Sequence, residues 1–133
     1  MIVHYAKSYI DALYESKDIV ALHGVIDVVC NNRELPEQFW LFRRLRTWYC
    51  SGRSGIWQYY ESVPADELEK IARTIEGFGL IEAAEKYRFG MKNWKAKGRC
   101  IELDRWIDNH WHELENMVFG LIAKNRDCLY DEN

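Results

Sequence analysis

The clearest structural signal in the chain comes from residues 102–124, which are ELDRWIDNHWHELENMVFGLIAK. Apolar side chains recur in this segment at steps of four and three residues, the spacing of one face of an α-helix. The stripe consists of Leu103, Ile107, His110, Leu114, Met117 and Leu121. The spacing predicts one long amphipathic helix over 102–124, with Leu103, Ile107, Leu114 and Leu121 in the core.

Helical spacing also runs through most of the preceding sequence. It predicts helices over about 3–15, 19–30, 36–50, 56–60 and 80–91, and another that Pro64 and Asp66 open and Gly77 closes. Residues 92–100 are predicted to be a loop. Segment 19–30 is rich in valine and isoleucine, so a buried strand stays an alternative there. The sequence therefore predicts an all-α fold, a compact helical bundle of about six to seven helices.

Composition favours one globular domain over residues 1–133. Hydrophobic residues make up 48% and charged residues 29%, which excludes a disordered chain. No apolar stretch approaches the roughly 20 residues that a membrane-spanning helix needs, and the first residues lack the apolar core of a signal peptide. No two of the four cysteines have the two-residue spacing of a zinc knuckle, so we expect reduced thiols and a cytoplasmic location.

Positive charge is concentrated in one segment, residues 86–99, although the formal net charge of the chain is −3. Three aromatic residues, Tyr87, Phe89 and Trp94, are interleaved with the cations there. Basic grooves with aromatic platforms bind single-stranded nucleic acid. The alternative is a solvated segment whose charge balances the acidic residues after it. The cations of this basic segment are Lys86, Arg88, Lys92, Lys95, Lys97 and Arg99.

Negative charge is concentrated in residues 64–133, which contain fourteen carboxylates. Carboxylates spaced along helix faces can imitate the regular charge of a phosphate backbone. An ordinary solvated helix surface explains the same residues. If the carboxylates do bind, we expect Glu82, Glu85, Asp108 and Glu115 to contact a basic surface on a partner protein.

The cluster that most resembles a metal-binding site consists of Asp108, His110, His112 and Glu113. Two residues that are two positions apart on a helix point about 200° away from each other, so the two histidines cannot share one ion. We therefore expect His110 to pack in the core and His112 to lie on the surface, with no metal and no cofactor bound. No serine lies in a nucleophile-elbow pattern and no cysteine has a local histidine partner, so the sequence does not predict an enzyme.

Ser51 to Gly55, with the sequence SGRSG, interrupts the helical spacing with two glycines. The segment lacks the lysine and the spacing of a phosphate-binding P-loop. We expect a structural turn in which Gly55 permits close packing or a positive φ. Ile56, with Tyr59 or Tyr60, would anchor that turn in the core.

The segment from Ser54 to Tyr60, SGIWQYY, resembles the Gly-Gly-Phe-x-Gln-Phe-Phe segment of the bacterial DNA-mimic-protein-like domain family. In that family a helix and a glycine turn follow, which correspond here to Leu68–Ile75 and to Glu76–Gly79. Glu102 to Asp104 is similar to the start of the family's last helix. The resemblance covers roughly residues 36–128.

The resemblance implies an all-helical fold and a binding role, because the family includes DNA mimics and immunity or antitoxin partners of toxins. Together with the residues above, it predicts a non-enzymatic protein that blocks a partner with a basic surface, either a toxin or a DNA-binding protein. Neither a membrane nor nucleic acid is expected as the partner, and a homodimer stays open. The alternative is a nucleic-acid-binding module that uses residues 86–99.

Overall fold

A computed structural model describes residues 3–131, except for the side chain of Lys97. Within that range the chain forms eight α-helices and no strand, and 77% of the described residues are helical. The predicted all-α fold is therefore confirmed. The helices are α1 (Lys7–Ser16), α2 (Ile19–Cys30), α3 (Glu37–Cys50), α4 (Trp57–Ser62), α5 (Ala65–Gly77), α6 (Ile81–Asn93), α7 (Lys97–Asn109) and α8 (Trp111–Ile122), with 3-10 turns at Ser51–Arg53 and Arg126–Leu129.

Segment 19–30, where a strand was the alternative, is the helix α2. Asp18 caps it, because the carboxylate of Asp18 accepts a hydrogen bond from the backbone N–H of Ala21 at 3.1 Å. This bond satisfies one of the amide groups that the first helical turn leaves without an intrahelical partner.

The prediction of one helix over 102–124 is wrong, because the segment divides at His110 into α7 and α8. The backbone of His110 has φ −114° and ψ 18°, outside the helical region. Its ring Nδ1 lies 2.8 Å from the carbonyl oxygen of Trp106, and the two rings stack with centroids 4.5 Å apart. The backbone N–H of His110 also donates to this carbonyl oxygen, at 3.0 Å, so the ring shares the acceptor of the last helical hydrogen bond of α7.

After Leu114, the buried positions of the last helix lie one residue further along the chain than the predicted stripe. Leu114 is buried, as predicted, at 3% exposure, and so are Val118 and Ile122. Met117 and Leu121 are only half-buried, so the predicted core position of Leu121 is wrong. The predicted core positions before the break are confirmed, since Leu103 and Ile107 are both buried, at 1% and 2% exposure.

Three boundaries also differ from the sequence analysis. α1 begins at Lys7 rather than near residue 3. α6 continues to Asn93 and α7 begins at Lys97, so the predicted loop 92–100 shrinks to residues 94–96. Since six residues of the predicted loop are helical, most of the basic segment 86–99 lies on helices.

The chain divides into two compact units. One unit contains residues up to Arg43 together with Glu115 and the residues after it, and the other contains Arg44–Leu114. The boundary falls inside α3 and inside α8. That residues 1–133 form a single domain stays a prediction.

Apolar side chains of α1, α2 and α8 form much of the buried core of the first unit. The hydroxyl of Tyr14 donates a hydrogen bond to the carbonyl oxygen of Ile122 at 2.9 Å, across 108 residues of sequence. Near the surface, Arg33 donates to Asp131 at 3.1 Å, and His4 contacts the same carboxylate. These bonds tie the two ends of the described chain into one unit.

Hydrogen-bonded aromatic side chains fill the core of Arg44–Leu114. The indole N–H of Trp48 donates to the hydroxyl of Tyr60 at 2.9 Å, and that hydroxyl donates to the carbonyl oxygen of Tyr87 at 2.8 Å. The hydroxyls of Tyr59 and Tyr87 lie 2.7 Å apart. Burial raises the pKa of Tyr59 to about 12, so these hydroxyls stay protonated at neutral pH. The ring of Tyr60 lies directly against the backbone of Gly90, where a larger residue would collide with it.

Candidate binding site

The turn before α4 positions the first part of the site. Gly55 has φ +108°, a conformation that side chains with a Cβ atom rarely adopt. A Cβ atom at Gly55 would lie 2.8 Å from the indole nitrogen of Trp57, which folds back over the turn. Ile56 is fully buried, and Tyr59 and Tyr60 are buried in the aromatic core.

A carboxylate of α7 holds this turn. The backbone N–H of Ile56 donates to Oδ1 of Asp104 at 2.9 Å, across 48 residues of sequence. Asp104 is half-buried. Loss of solvent raises the pKa of its carboxyl group, and the hydrogen bond from Ile56 only partly opposes that rise. Oδ2 of Asp104 has no hydrogen-bond donor among the described residues.

An open groove of about 570 Å³ lies beside the turn, and we call it the Trp57 groove. Its walls are mostly apolar, and two of the side chains that line it are unusually exposed for their size. Trp57 is 42% exposed and Ile101 is 49% exposed. The groove is lined by Gly55, Trp57, Trp94, Lys95, Cys100, Ile101 and Asp104, all within Arg44–Leu114.

A second groove of about 440 Å³, the Arg53 groove, shares Ile101 and Asp104 with the first. Its other side chains carry more charge. The guanidinium of Arg53 lies 4.4 Å from the ring centroid of Trp111, and the ring of Tyr49 meets Trp111 edge-on at 5.0 Å. This groove is lined by Tyr49, Gly52, Arg53, Ile101, Asp104, Arg105, Ile107, Asp108 and Trp111.

The basic segment 86–99 is partly neutralised. Arg88 donates to both oxygens of Glu69 at 2.9 Å, and to the two oxygens of Glu76 at 2.8 and 2.9 Å. These bonds hold the pKa values of Glu69 and Glu76 below the ordinary glutamate value. The two carboxylates therefore belong to a local ion-pair network and not to a free acidic face.

Two other cations of the segment lie over indole rings. The ammonium group of Lys86 is 5.4 Å from the ring centroid of Trp106, and that of Lys95 is 5.4 Å from the ring centroid of Trp94. Lys92 and Arg99 are exposed and form no ion pair with any side chain that the structure describes. The side chain of Lys97 lies outside the description.

The four carboxylates predicted to bind a partner divide between the two units. Glu82 and Glu85 are exposed on α6, and Asp108 is exposed on α7, where it lines the Arg53 groove. None of these three has an ion-pair partner among the described side chains. Glu115 is half-buried and belongs to the other unit.

Of the two histidines in the cluster that resembles a metal-binding site, only His112 lies as predicted, because His110 is at the break between α7 and α8 and is not buried in the core. His110 is half-buried against Trp106, and His112 is exposed. In residues 3–131, Lys97 aside, no group of three or more His, Cys, Asp or Glu side chains is arranged to hold a metal ion. Among the same residues, no helix has the length and apolar character required to cross a membrane.

Sequence reasoning missed Ile101, Asp104 and Trp57 as residues of one site. Ile101 offered a signal, because it lies two positions before Leu103 and therefore faces away from the buried stripe of the helix. An exposed apolar side chain indicates a contact surface only where other apolar side chains lie beside it. Its position beside Trp57 depends on the tertiary fold and could not be found from spacing.

Neither the models of protein families, nor the curated proteins, nor the solved structures contain a match to this chain.

Proposed function

We propose that the protein is a non-enzymatic binding protein that blocks a partner protein with a basic surface, and that it does so through Arg44–Leu114. The observation that carries the proposal is the Trp57 groove, in which Trp57 and Ile101 are 42% and 49% exposed around an apolar depression. Tryptophan is one of the residues enriched among those that dominate binding energy, and such residues lie in well-packed pockets from which water is excluded.

Covering this apolar surface with a partner would contribute favourably to the free energy of binding. Each square ångström of apolar surface removed from water contributes about 25 cal/mol. The turn beside the groove is held in place, since Ile56, next to Trp57, is fully buried and its N–H donates to Asp104. A partner that binds there would therefore order few side chains of this chain, which keeps the entropic cost low.

The exposed carboxylates support a basic partner. Glu82, Glu85 and Asp108 carry charges that no described side chain neutralises, and Asp104 adds a fourth in the wall of the groove. Opposite charge on a partner would accelerate encounter and disfavour acidic competitors. A toxin with a basic active site and a DNA-binding protein are both partners of this kind, which agrees with the resemblance to the DNA-mimic-protein-like family.

The test begins with the tagged full-length chain as bait in the cells from which it comes, followed by cross-linking and mass spectrometry to identify the partner. Affinity of the purified partner is then measured for the wild-type protein, for Trp57→Ala and for the pair Glu82→Lys and Glu85→Lys. The proposal expects weaker binding in both variants, and a smaller salt dependence for the charge reversal, because the Debye length is only about 8 Å at physiological ionic strength. Unchanged affinity in both variants, with the fold intact by circular dichroism, would refute it.

The alternative function, binding of single-stranded nucleic acid, is favoured by one observation. Lys92, Lys95 and Arg99 are exposed near Trp94 on consecutive elements of the chain. The indole rings provide less support, because Trp94 already has a cation of the chain itself over it, as do Trp106 and Trp111. Fluorescence anisotropy with labelled oligonucleotides over a salt series separates the two functions. Tight, salt-sensitive binding would favour this alternative over the protein partner.

A further inference from the structure

The two grooves beside α7 differ in one respect that indicates what the Trp57 groove binds. Both include the carboxylate of Asp104 and at least one indole ring. In the Arg53 groove an arginine of the chain already lies against the indole, with the guanidinium of Arg53 4.4 Å from the centroid of Trp111. Of the described residues that line the Trp57 groove, none is an arginine.

We propose that the Trp57 groove receives an arginine side chain of the partner protein, with its guanidinium on the carboxylate of Asp104 and against the indole of Trp57. This inference rests on the proposed function, since it specifies the chemistry of the side chain that anchors the partner.

The geometry of Asp104 supports a cation at this position. Oδ1 is occupied by the N–H of Ile56, whereas Oδ2 has no donor among the described residues. No described cation forms an ion pair with the carboxylate. A half-buried negative charge of this kind has lost part of its hydration without gaining a counter-ion, and a bound guanidinium would supply one.

The walls of the groove favour arginine over lysine. The indole of Trp57 is exposed, and no described ring or cation lies over it. A guanidinium is planar and weakly hydrated, so it can stack on an indole while it donates to a carboxylate, and its aliphatic stem suits the apolar side chain of Ile101. An ammonium group is more strongly hydrated and loses more on entering an apolar groove. Lys95 is the one cation among the described lining residues, and it is exposed to solvent that screens its charge.

The experiment uses the full chain labelled with ¹⁵N and three peptides, acetyl-Leu-Arg-Leu-amide and its citrulline and lysine counterparts. Citrulline has the shape of arginine without its charge. Binding is followed through the indole N–H signal of Trp57, identified by its loss in Trp57→Phe. A single anchored side chain binds weakly, so each titration extends to about 10 mM.

The variant Asp104→Asn keeps an oxygen that can accept the N–H of Ile56 but loses the negative charge. Glu102→Gln is the matched control, because Glu102 is exposed on α7 and is not among the described residues that line either groove. The inference expects the arginine peptide to bind the wild-type protein about tenfold more tightly than the citrulline peptide, the effect of one charge-assisted hydrogen bond. Asp104→Asn should abolish that difference and Glu102→Gln should retain it.

Equal binding of arginine and citrulline peptides, tighter binding of the lysine peptide, or no saturable shift at Trp57 would each overturn the inference. Failure here is distinguishable from failure of the proposed function. If the captured partner loses affinity in Trp57→Ala but not in Asp104→Asn, the protein is a binding protein whose anchor is not an arginine.

Discussion

Replacing Gly90 with alanine should destabilise the protein, although alanine is the better helix former. A Cβ atom at Gly90 would approach the Cζ and hydroxyl atoms of Tyr60 to within 3.0 Å, so the ring would have to move. The ring cannot move freely, because Tyr60 is 2% exposed and its hydroxyl is fixed between Trp48 and Tyr87. The added methyl group therefore strains the core or breaks two buried hydrogen bonds.

The magnitude follows from these contacts. Overpacking a core costs about 1–3 kcal/mol, and each buried polar group left without a partner costs about 1–3 kcal/mol. Alanine returns about 1 kcal/mol of helix propensity. With one hydrogen-bonding group left without a partner, the expected net loss is about 1–5 kcal/mol, measured by urea unfolding followed by circular dichroism. Gly120→Ala in α8 is the matched control, since a Cβ atom there meets nothing within 4 Å, and it should stabilise slightly. If Gly90→Ala were as stable as the wild-type protein, Tyr60 could not occupy the position described.

Three further predictions concern the turn, the last helix and the site. Gly55→Val should cost about 1–3 kcal/mol in thermal unfolding, because Gly55 has φ +108°, and an unchanged melting temperature would contradict this. Leu114→Ala should cost about 2–5 kcal/mol in urea unfolding, because the side chain is 3% exposed, and a loss below 1 kcal/mol would mean that the site is poorly packed. The pKa of Asp104 is raised, so the folded state binds its proton more readily than the unfolded state. The contribution of Asp104 to stability therefore declines as pH rises from the pKa of the unfolded state to the higher pKa of the folded state. Asp104→Asn should remove this decline and be at least as stable at neutral pH, whereas a large loss of stability would show that the charge itself holds the turn.

The sequence predicts which segments are α-helices because helix formation depends on the local spacing of apolar residues. α3 begins at Glu37 and ends at Cys50, within one residue of the prediction, since the apolar residues repeat regularly and the glycine-containing turn follows. The break at His110 could not be predicted in the same way. The ring of His110 stacks on Trp106, a contact that spacing does not reveal, and the stripe of apolar residues continues past the break without a visible change.

The charges of the surface were harder to predict than the core. Glu69 and Glu76 are among the fourteen carboxylates of residues 64–133, yet Arg88 bonds to both, across 19 and 12 residues of sequence. Composition records how many charges a segment carries, but only the tertiary fold decides which of them neutralise one another. Glu82 and Glu85 are exposed, so the proposed attraction to a basic partner can be tested by reversing their charges.

Asp104 joins the fold to the proposed site, because one oxygen of its carboxylate holds the turn and the other has no donor among the described residues. A purely structural role needs only an acceptor for the N–H of Ile56, and asparagine supplies one. A binding role needs the negative charge, which asparagine lacks. Asp104→Asn should therefore keep the fold and lose the preference for arginine, while Asp104→Ala should lose both. If the two variants lost stability equally and neither changed the preference for arginine, Asp104 would be a structural residue and the arginine would have no counter-ion in this groove.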